Sequence, residues 1–565
     1  MPTRVGQGAD ERGAQPSTWA PLALGGFRLL WTAQLVSNVG TWMQTVGAQW
    51  LVVDEPNAAT LTAAAQAVGL LPVLAVSLPA GALADVLDRR RLLLVVQSCM
   101  ALVAALLALC TFAGLTTPAL LLVLTFALGV GSALGSPAWQ AVQPELVPRR
   151  LLPSALALNS ASVNLARAIG PALAGVIVAA TGPGTVFAVN AVSFVWVAAS
   201  LYRWRRPPAT IGSPEPLSPA LRSGARFVRH SPAVRLVLLR TGLFVVPASA
   251  LWALLAVVAS HGLGLDSGGY GLLLAALGVG AIAGTLVFTR LREAVAPGWL
   301  VAAASVLFAG GMVVAAVSTS TLVVSLVLVP AGFGWLLALS SFNTTLQLIL
   351  PPWVRARALA VYLLVFLGGQ GVGALVWGFV AAGLGTSTTL LVGAVLLLAG
   401  AATLPWRTLP VPPPGVASVA DPWPEPEADR PVPDDAGPVL VSVSYRVPEE
   451  RTEEFLAAAR AIGVSRRRTG ATTWSVYRDA ADPERYVEVF TVPTWGEHAR
   501  QHTERLTAYD LRMHARVESY SVDEPAVRHL VAAATTPEPE PTRTLVSRVR
   551  ARLAARRASG SPPHP

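Results

Sequence analysis

The chain has 565 residues, of which 53% are hydrophobic and only 13% charged, with a formal net charge of +10. Soluble domains carry about 25% charged residues, so an ordinary soluble protein is excluded and a polytopic membrane protein is indicated. The positive charge does not call for nucleic acid: all 42 basic residues besides the histidines are Arg, and within residues 21–406 most of them lie in loops between apolar runs, as membrane topology requires.

Residues 1–20 are polar and lack the apolar core of a cleaved signal peptide, so they read as an N-terminal cytoplasmic tail. A spanning helix needs about 20 mostly apolar residues. Twelve stretches qualify: roughly 27–53, 61–83, 91–113, 118–142, 153–180, 184–203, 234–260, 268–289, 298–317, 320–345, 357–383 and 386–406. They form an N-terminal half (21–203) and a C-terminal half (234–406), joined by a central loop (204–233). Within that loop Leu217, Leu221 and Val228 interleave with Arg, the pattern of a short amphipathic helix on the membrane surface. Cys99 and Cys110 share one run and would stand roughly 16 Å apart on a helix, too far for a disulfide.

The loops alternate in charge. One set holds Asp85 to Arg91, Arg149 with Arg150, Arg203 to Arg235, Arg290 with Arg292, and Arg355 with Arg357. The other set, which includes Asp54-Glu55, Thr116-Thr117, Thr181 to Pro183 and His261 to Gly268, contains no Arg. This asymmetry places the first set and both termini in the cytoplasm. The halves also echo one another at an offset of about 203 residues: Gln143 to Arg149 with Gln347 to Trp353, Gly170 to Gly175 with Gly373 to Gly378, and Gly81 with Gly284. Parallel repeats of this kind are found in transporters built around a central pseudo-twofold axis.

Residues 407–437 form a linker rich in Pro and acidic residues. Residues 438–531 then read as a soluble domain, with strands near 439–447, 472–478, 485–492 and 527–531. One helix lies between the first two strands and another opens at Thr494. The order βαββαβ is that of the ferredoxin-like α+β fold. Residues 532–565 form a basic tail; Leu545, Val546, Val549 and Leu553 are at helical spacing, so it either touches anionic lipid or is disordered.

The stretch Gly81-Ala82-Leu83-Ala84-Asp85-Val86-Leu87-Asp88-Arg89-Arg90-Arg91, with the twelve-span layout, resembles the major facilitator superfamily. That family's loop between its second and third helices follows Gly-x-Leu-Ala/Ser-Asp-Arg/Lys-x-Gly-Arg/Lys-Arg/Lys. Gly81, Leu83, Ala84, Asp85, Arg89 and Arg90 match; Val86 and Asp88 depart from the pattern. The departures, with Phe27 to Gln44 and Leu158 to Pro171, resemble the enterobactin-exporter-like branch. The tail domain resembles the antibiotic-biosynthesis monooxygenases. The resemblance implies an all-α membrane region moving small molecules by alternating access, and a latch between Asp85 and the helix beginning near Ala358. The plainer reading is that Asp85 and the arginines only mark topology. Arg89 could pair with Glu145. Gly170, Pro171 and Gly175 resemble an exporter-associated Gly-Pro-x-x-Gly-Gly motif, although the same small residues serve packing.

Arg167 lies near the middle of the fifth span, where a charge costs about 3 kcal/mol, so it should face a cavity or a partner such as Asn164. Asn38, Trp42, Gln44, Asn164 and Arg167 are candidate cavity residues. Away from helix ends no span holds a carboxylate, leaving Asp54, at the outer end of the first span, as candidate proton carrier. In the tail, His498 and His502 share a helix face, but no third ligand is evident, so neither metal nor cofactor is expected. The expected activity is proton-coupled export of a small amphipathic molecule such as a drug, siderophore or secondary metabolite, with no enzyme activity. The C-terminal domain is expected to dimerise or sense a ligand. The alternative is a bifunctional protein whose C-terminal domain performs redox chemistry on a metabolite.

Overall fold

The computed structural model describes residues 17–204, 217–411 and 431–533. Most of the N-terminal tail, the centre of the 407–437 linker and the basic tail including Thr542 to Arg557 lie outside the described residues, as does the Asp85 side chain. The chain divides into two compact units, the first built from Met1–Ala420 and the second from most of the remainder.

The first unit is helical: α1 (Gly25–Leu51), α2 (Ala58–Leu70), α3 (Pro72–Val86), α4 (Arg89–Phe112), α5 (Pro118–Val142), α6 (Leu152–Thr181) and α7 (Pro183–Arg203). A short α8 (Leu217–His230) follows, then α9 (Pro232–Val257), α10 (Ser267–Ala294), α11 (Pro297–Val317), α12 (Thr321–Ile349), α13 (Pro352–Leu384) and α14 (Thr386–Ala402). Among the described residues, ten helical segments are long and apolar enough to cross a membrane, counting α2 with the start of α3 as one. α14 is apolar but only 17 residues long. α1 has the length, 27 residues, but carries Gln34, Asn38, Gln44 and Gln49. Leu102, Leu109, Leu286 and Leu322 point outward, exposed, as lipid-facing side chains do.

The second expected span is not one rod. Pro72 has no N–H and its ring crowds the preceding turn, so the helix breaks between Leu70 and Pro72. Asp88, one departure from the family's loop pattern, starts α4: its carboxylate accepts from the Arg91 backbone N–H at 2.9 Å, an N-cap. α8 forms where the amphipathic helix is expected, but Phe227 is buried against Trp353 at the start of α13, in an edge-to-face contact 5.6 Å between ring centres.

Within each half, α4 packs on α7, and α10 and α11 on α12. The halves meet mainly through α6 with α10 and α2 with α13, and also through α2 with α9 and α3 with α13. The α10–α12 crossing is so close that a Cβ on Gly332 would stand 1.9 Å from the Leu277 carbonyl oxygen, so only Gly fits.

The second unit holds β1 (Val439–Arg446), α15 (Thr452–Thr469), β2 (Thr473–Arg478), β3 (Arg485–Val492), α16 (Trp495–Arg500), α17 (Ala508–Glu518) and β4 (Ala526–Val531). The sheet is antiparallel with strand order β2-β3-β1-β4. Period-two alternation buries Val439, Val441, Val443 and Tyr445 on β1 and Tyr486, Phe490 and Val492 on β3. Glu488 shares that buried face at 1% exposure. Its carboxylate accepts from Tyr445 OH (3.0 Å), Trp474 Nε1 (2.9 Å) and Arg466 Nε (3.1 Å), which satisfies the buried charge.

Candidate functional site

Two cavities open between the helices of the first unit. One of about 490 Å³ is lined mainly by α1, α4, α5 and α6, with Trp31, Gln34, Asn38, Gln97, Gln140 and Asn159 in its wall. It lies toward the arginine-rich loops, since its wall includes Phe27 at the start of α1 and Leu146 beyond α5. The second, about 360 Å³, lies deeper, among Trp42, Gln44, Gln49, Arg167, Trp252 and Trp335. They share Thr41, Met100, Ser132 and Phe194 as walls. Each falls in the size range of small-molecule sites, and aromatic walls with few polar groups suit an amphipathic guest.

Among the described residues, Arg167 is the one charged residue lining either cavity. Its guanidinium carbon sits 5.7 Å from the centre of the Trp42 ring, a cation–π contact. Among the described residues it has no hydrogen-bond or ion-pair partner. Trp42 is positioned by the α1–α6 crossing, where Gly170 is so close that a Cβ on it would meet the Trp42 Cβ at 2.6 Å. Gln44 accepts a hydrogen bond from Asn190 Nδ2 at 2.6 Å, while Gln44 Nε2, Gln34 Oε1 and Gln97 Oε1 are buried with no partner among the described residues. The site therefore offers a fixed positive charge, an aromatic cradle and several unused amide groups.

The deeper cavity is closed at the arginine-free end by contacts between the halves. Tyr270 OH donates to Gln49 Oε1, and Gln49 Nε2 donates to the Trp252 carbonyl (3.3 Å) and to Gln66 Oε1 (2.8 Å). Next to it α6 crosses α10 at Gly175 and Gly271, and Thr60 Oγ1 donates to the Gly378 carbonyl at 3.3 Å.

The other sequence candidates divide. Asn38 lines the larger cavity, accepts from Gln34 Nε2 at 3.0 Å and donates to Ser162 Oγ at 3.4 Å. Asn164 lines neither cavity. Pro171 lies beside Arg167, and its carbonyl approaches Gly271. Asp54 is exposed in the turn after α1 and lies outside both cavity walls. Gly81 is in α3, with open space where a Cβ would stand. Arg89 pairs with Glu145 at 2.7 Å, and Arg90 donates to the Leu201 and Tyr202 carbonyls at the end of α7, at 2.8 and 2.5 Å. Gln66, Gln97, Asn190 and Tyr270 were not singled out in the sequence. A polar side chain inside an apolar span is the signal that marks the first three. In the second unit, His498 and His502 are joined by His529 from β4, and the three bring ligand nitrogens within 4.8 Å of one another.

Comparison with known proteins follows the same lines. A family model described as "Transmembrane secretion effector" matches residues 16–537. The Staphylococcus aureus staphyloferrin A transporter is 32% identical over 157 residues, which cover 28% of this chain and 40% of that relative. The enterobactin exporter EntS of Citrobacter koseri is 31% identical over 336 residues, covering 58% of this chain and 76% of the relative. Among solved structures, the nucleoside transporter NupG superposes with a TM-score of 0.57 at 13% identity, over 68% of this chain and all of the other. A bacterial homologue of the human lysosomal transporter Spinster, crystallised inward-facing and unoccupied, gives 0.54 at 16% identity, over 69% of this chain and 96% of the other. At such identities these structures speak for the fold.

Proposed function

We infer the function from membership: this chain belongs to the transmembrane secretion effector family of the major facilitator superfamily. It is a membrane transporter. Its cargo is proposed to be an anionic amphipathic molecule of the siderophore class, moved outward. The observation that carries this reading is Arg167: a permanent cation in an aromatic cavity, held over the Trp42 ring and without an acid to neutralise it among the described residues. A charge so placed is expensive unless a guest with opposite charge uses it. The two relatives named for staphyloferrin A and enterobactin support the class.

In the membrane, α1 and α14 complete a proposed set of twelve spans with α2 and α3 as one, and the arginine-rich loops face the cytoplasm with both termini. On that orientation the cavities open inward and the Gln49–Tyr270 and Gly175–Gly271 contacts seal the outside, one end state of alternating access. In the opposite state Asp85 is proposed to latch onto the start of α13, where the helix dipole favours an anion. The drive is proposed to be the proton-motive force. Its electrical part acts on an anionic cargo directly, at about 2.3 kcal/mol per charge per 100 mV. Its chemical part needs a titratable group, and Asp54 would have to serve from outside the cavity walls.

The strand order of the second unit supports a ferredoxin-like domain, proposed to dimerise or sense a ligand in the cytoplasm rather than to catalyse. Export from inside-loaded proteoliposomes tests the cargo. Iron-free siderophores of the two relatives' kinds should leave, a cationic dye should not, and Arg167→Gln should abolish the flux at unchanged expression. Equal flux of the cation, or full flux in Arg167→Gln, would refute the reading.

A further inference from the structure

The second unit contains a cluster of ligating side chains that transport does not use. We propose that His498, His502 and His529 bind a single divalent transition-metal ion of the zinc class.

The first argument is convergence. His498 lies within α16, His502 lies in the π-helical turn Gln501–Arg505 that follows, and His529 comes from the edge strand β4. The ring centres of His502 and His529 each stand 4.9 Å from that of His498, and one nitrogen from each ring lies within 4.8 Å of the others. Three nitrogens held by one tetrahedral zinc ion are roughly 3.3 Å apart, from Zn–N lengths of about 2.05 Å. Small rotations of the half-buried His502 and His529 side chains cover the difference.

The second argument is orientation. Thr469 Oγ1 donates to the Ser465 carbonyl at 3.0 Å, so it accepts from Gln501 Nε2 at 3.2 Å. That fixes the Gln501 amide with Oε1 toward His498 Nδ1, 3.1 Å away, so Nδ1 carries the proton and Nε2 carries the lone pair. His498 Nε2 is buried and has no partner among the described residues, and the same holds for His529 Nε2. A hydrogen bond that sets the tautomer of a ligating imidazole is the usual outer support of a metal site.

The third argument is donor type. No carboxylate joins the three nitrogens in this cluster among the described residues. An all-imidazole set disfavours calcium and magnesium and suits zinc, copper or nickel. Three protein ligands leave a fourth position for water or a guest. An ion held there would tie the α16 region to β4.

The test uses the full chain, purified in detergent with a histidine-free affinity tag, stripped with chelator and titrated with Zn2+. The expected result is one Zn2+ per chain beyond that bound by His529→Ala and His502→Ala, with a tetrahedral visible spectrum when Co2+ is substituted. Gln501→Ala should keep the stoichiometry and weaken affinity roughly 10- to 100-fold. His498 is buried, and His498→Gln is informative only if its circular dichroism is unchanged; the two half-buried histidines carry the test. Equal Zn2+ binding by the parent and His529→Ala, or a parent that binds none, would overturn the proposal.

Discussion

Gly175→Ala should push the transporter out of the state seen here. The added methyl carbon would stand 2.8 Å from Gly271 Cα and 2.7 Å from the Ser267 carbonyl oxygen. Both are backbone atoms of α10, so no side chain can rotate away. Ordinary carbon contacts lie near 3.5–4.0 Å, so the helices must part by roughly 0.7 Å or more. Overpacking of this kind costs about 1–3 kcal/mol. The cost falls only on the state in which α6 touches α10, so the equilibrium should move toward the parted state by roughly 5- to 150-fold. Double electron–electron resonance reads this directly. After Cys99 and Cys110 are replaced by Ser, spin labels at Thr181 and His261, both exposed at the arginine-free end, should show a new, longer distance population. Gly271→Ala should reproduce it, because its Cβ meets Gly175 Cα at the same 2.8 Å. An unchanged distribution in a folded, monodisperse variant would refute the assignment of this crossing as a gate.

Other expectations concern stability. Arg90→Ala should destabilise the protein by about 1 kcal/mol more than Arg91→Ala, read as a lower melting point, because Arg90 satisfies two carbonyls at the end of α7 while Arg91 is exposed; equal melting points would refute that capping role. Glu488→Ala leaves Arg466 and Tyr445 unpaired in the second core and should cost about 3–5 kcal/mol, seen as rapid subtilisin cleavage within 439–531. The Tyr445 phenol is held well above its ordinary range, by burial first and the Glu488 carboxylate second. The folded state therefore keeps a proton that the unfolded chain releases, so stability is intact below about pH 10 and falls above it. Tyr445→Phe should flatten that fall in the same proteolysis assay run from pH 9 to 11.

What the sequence disclosed tracks what is local. The ten candidate spans were legible because each holds a long apolar run, and the second unit's strands because period two is a short-range signal. Thr494 could be read as a helix start for the same reason: it caps α16 through the Glu497 N–H at 3.2 Å. Arg167 stood out as a charge inside a span, a position that called for either a cavity or a polar partner such as Asn164. The break at Pro72 was written in the sequence too, yet an apolar run long enough to span masked it. What was hidden depends on distant pairing. His529 joins His498 only because β1 pairs with β4 in a register that sets Val441 opposite His529. Tyr270 meets Gln49 across 221 residues, through helices from different halves. No spacing rule reaches that far.

The break at Pro72 has a mechanical consequence. A helix is stiff because every turn is bonded to the next; Pro72 removes one rung and splits the span into levers of 13 and 15 residues. The levers answer to different neighbours, since α2 lies along α13 of the opposite half while α3 lies along α5 of its own. The proposed rocking of one half on the other would therefore be taken up at the prolines of this span, Pro72 and, within α3, Pro79. Gly69 and Leu70, beside the Pro72 break, are in the wall of the deeper cavity. A rung missing from the span thus lies beside a wall that the proposed cargo would touch.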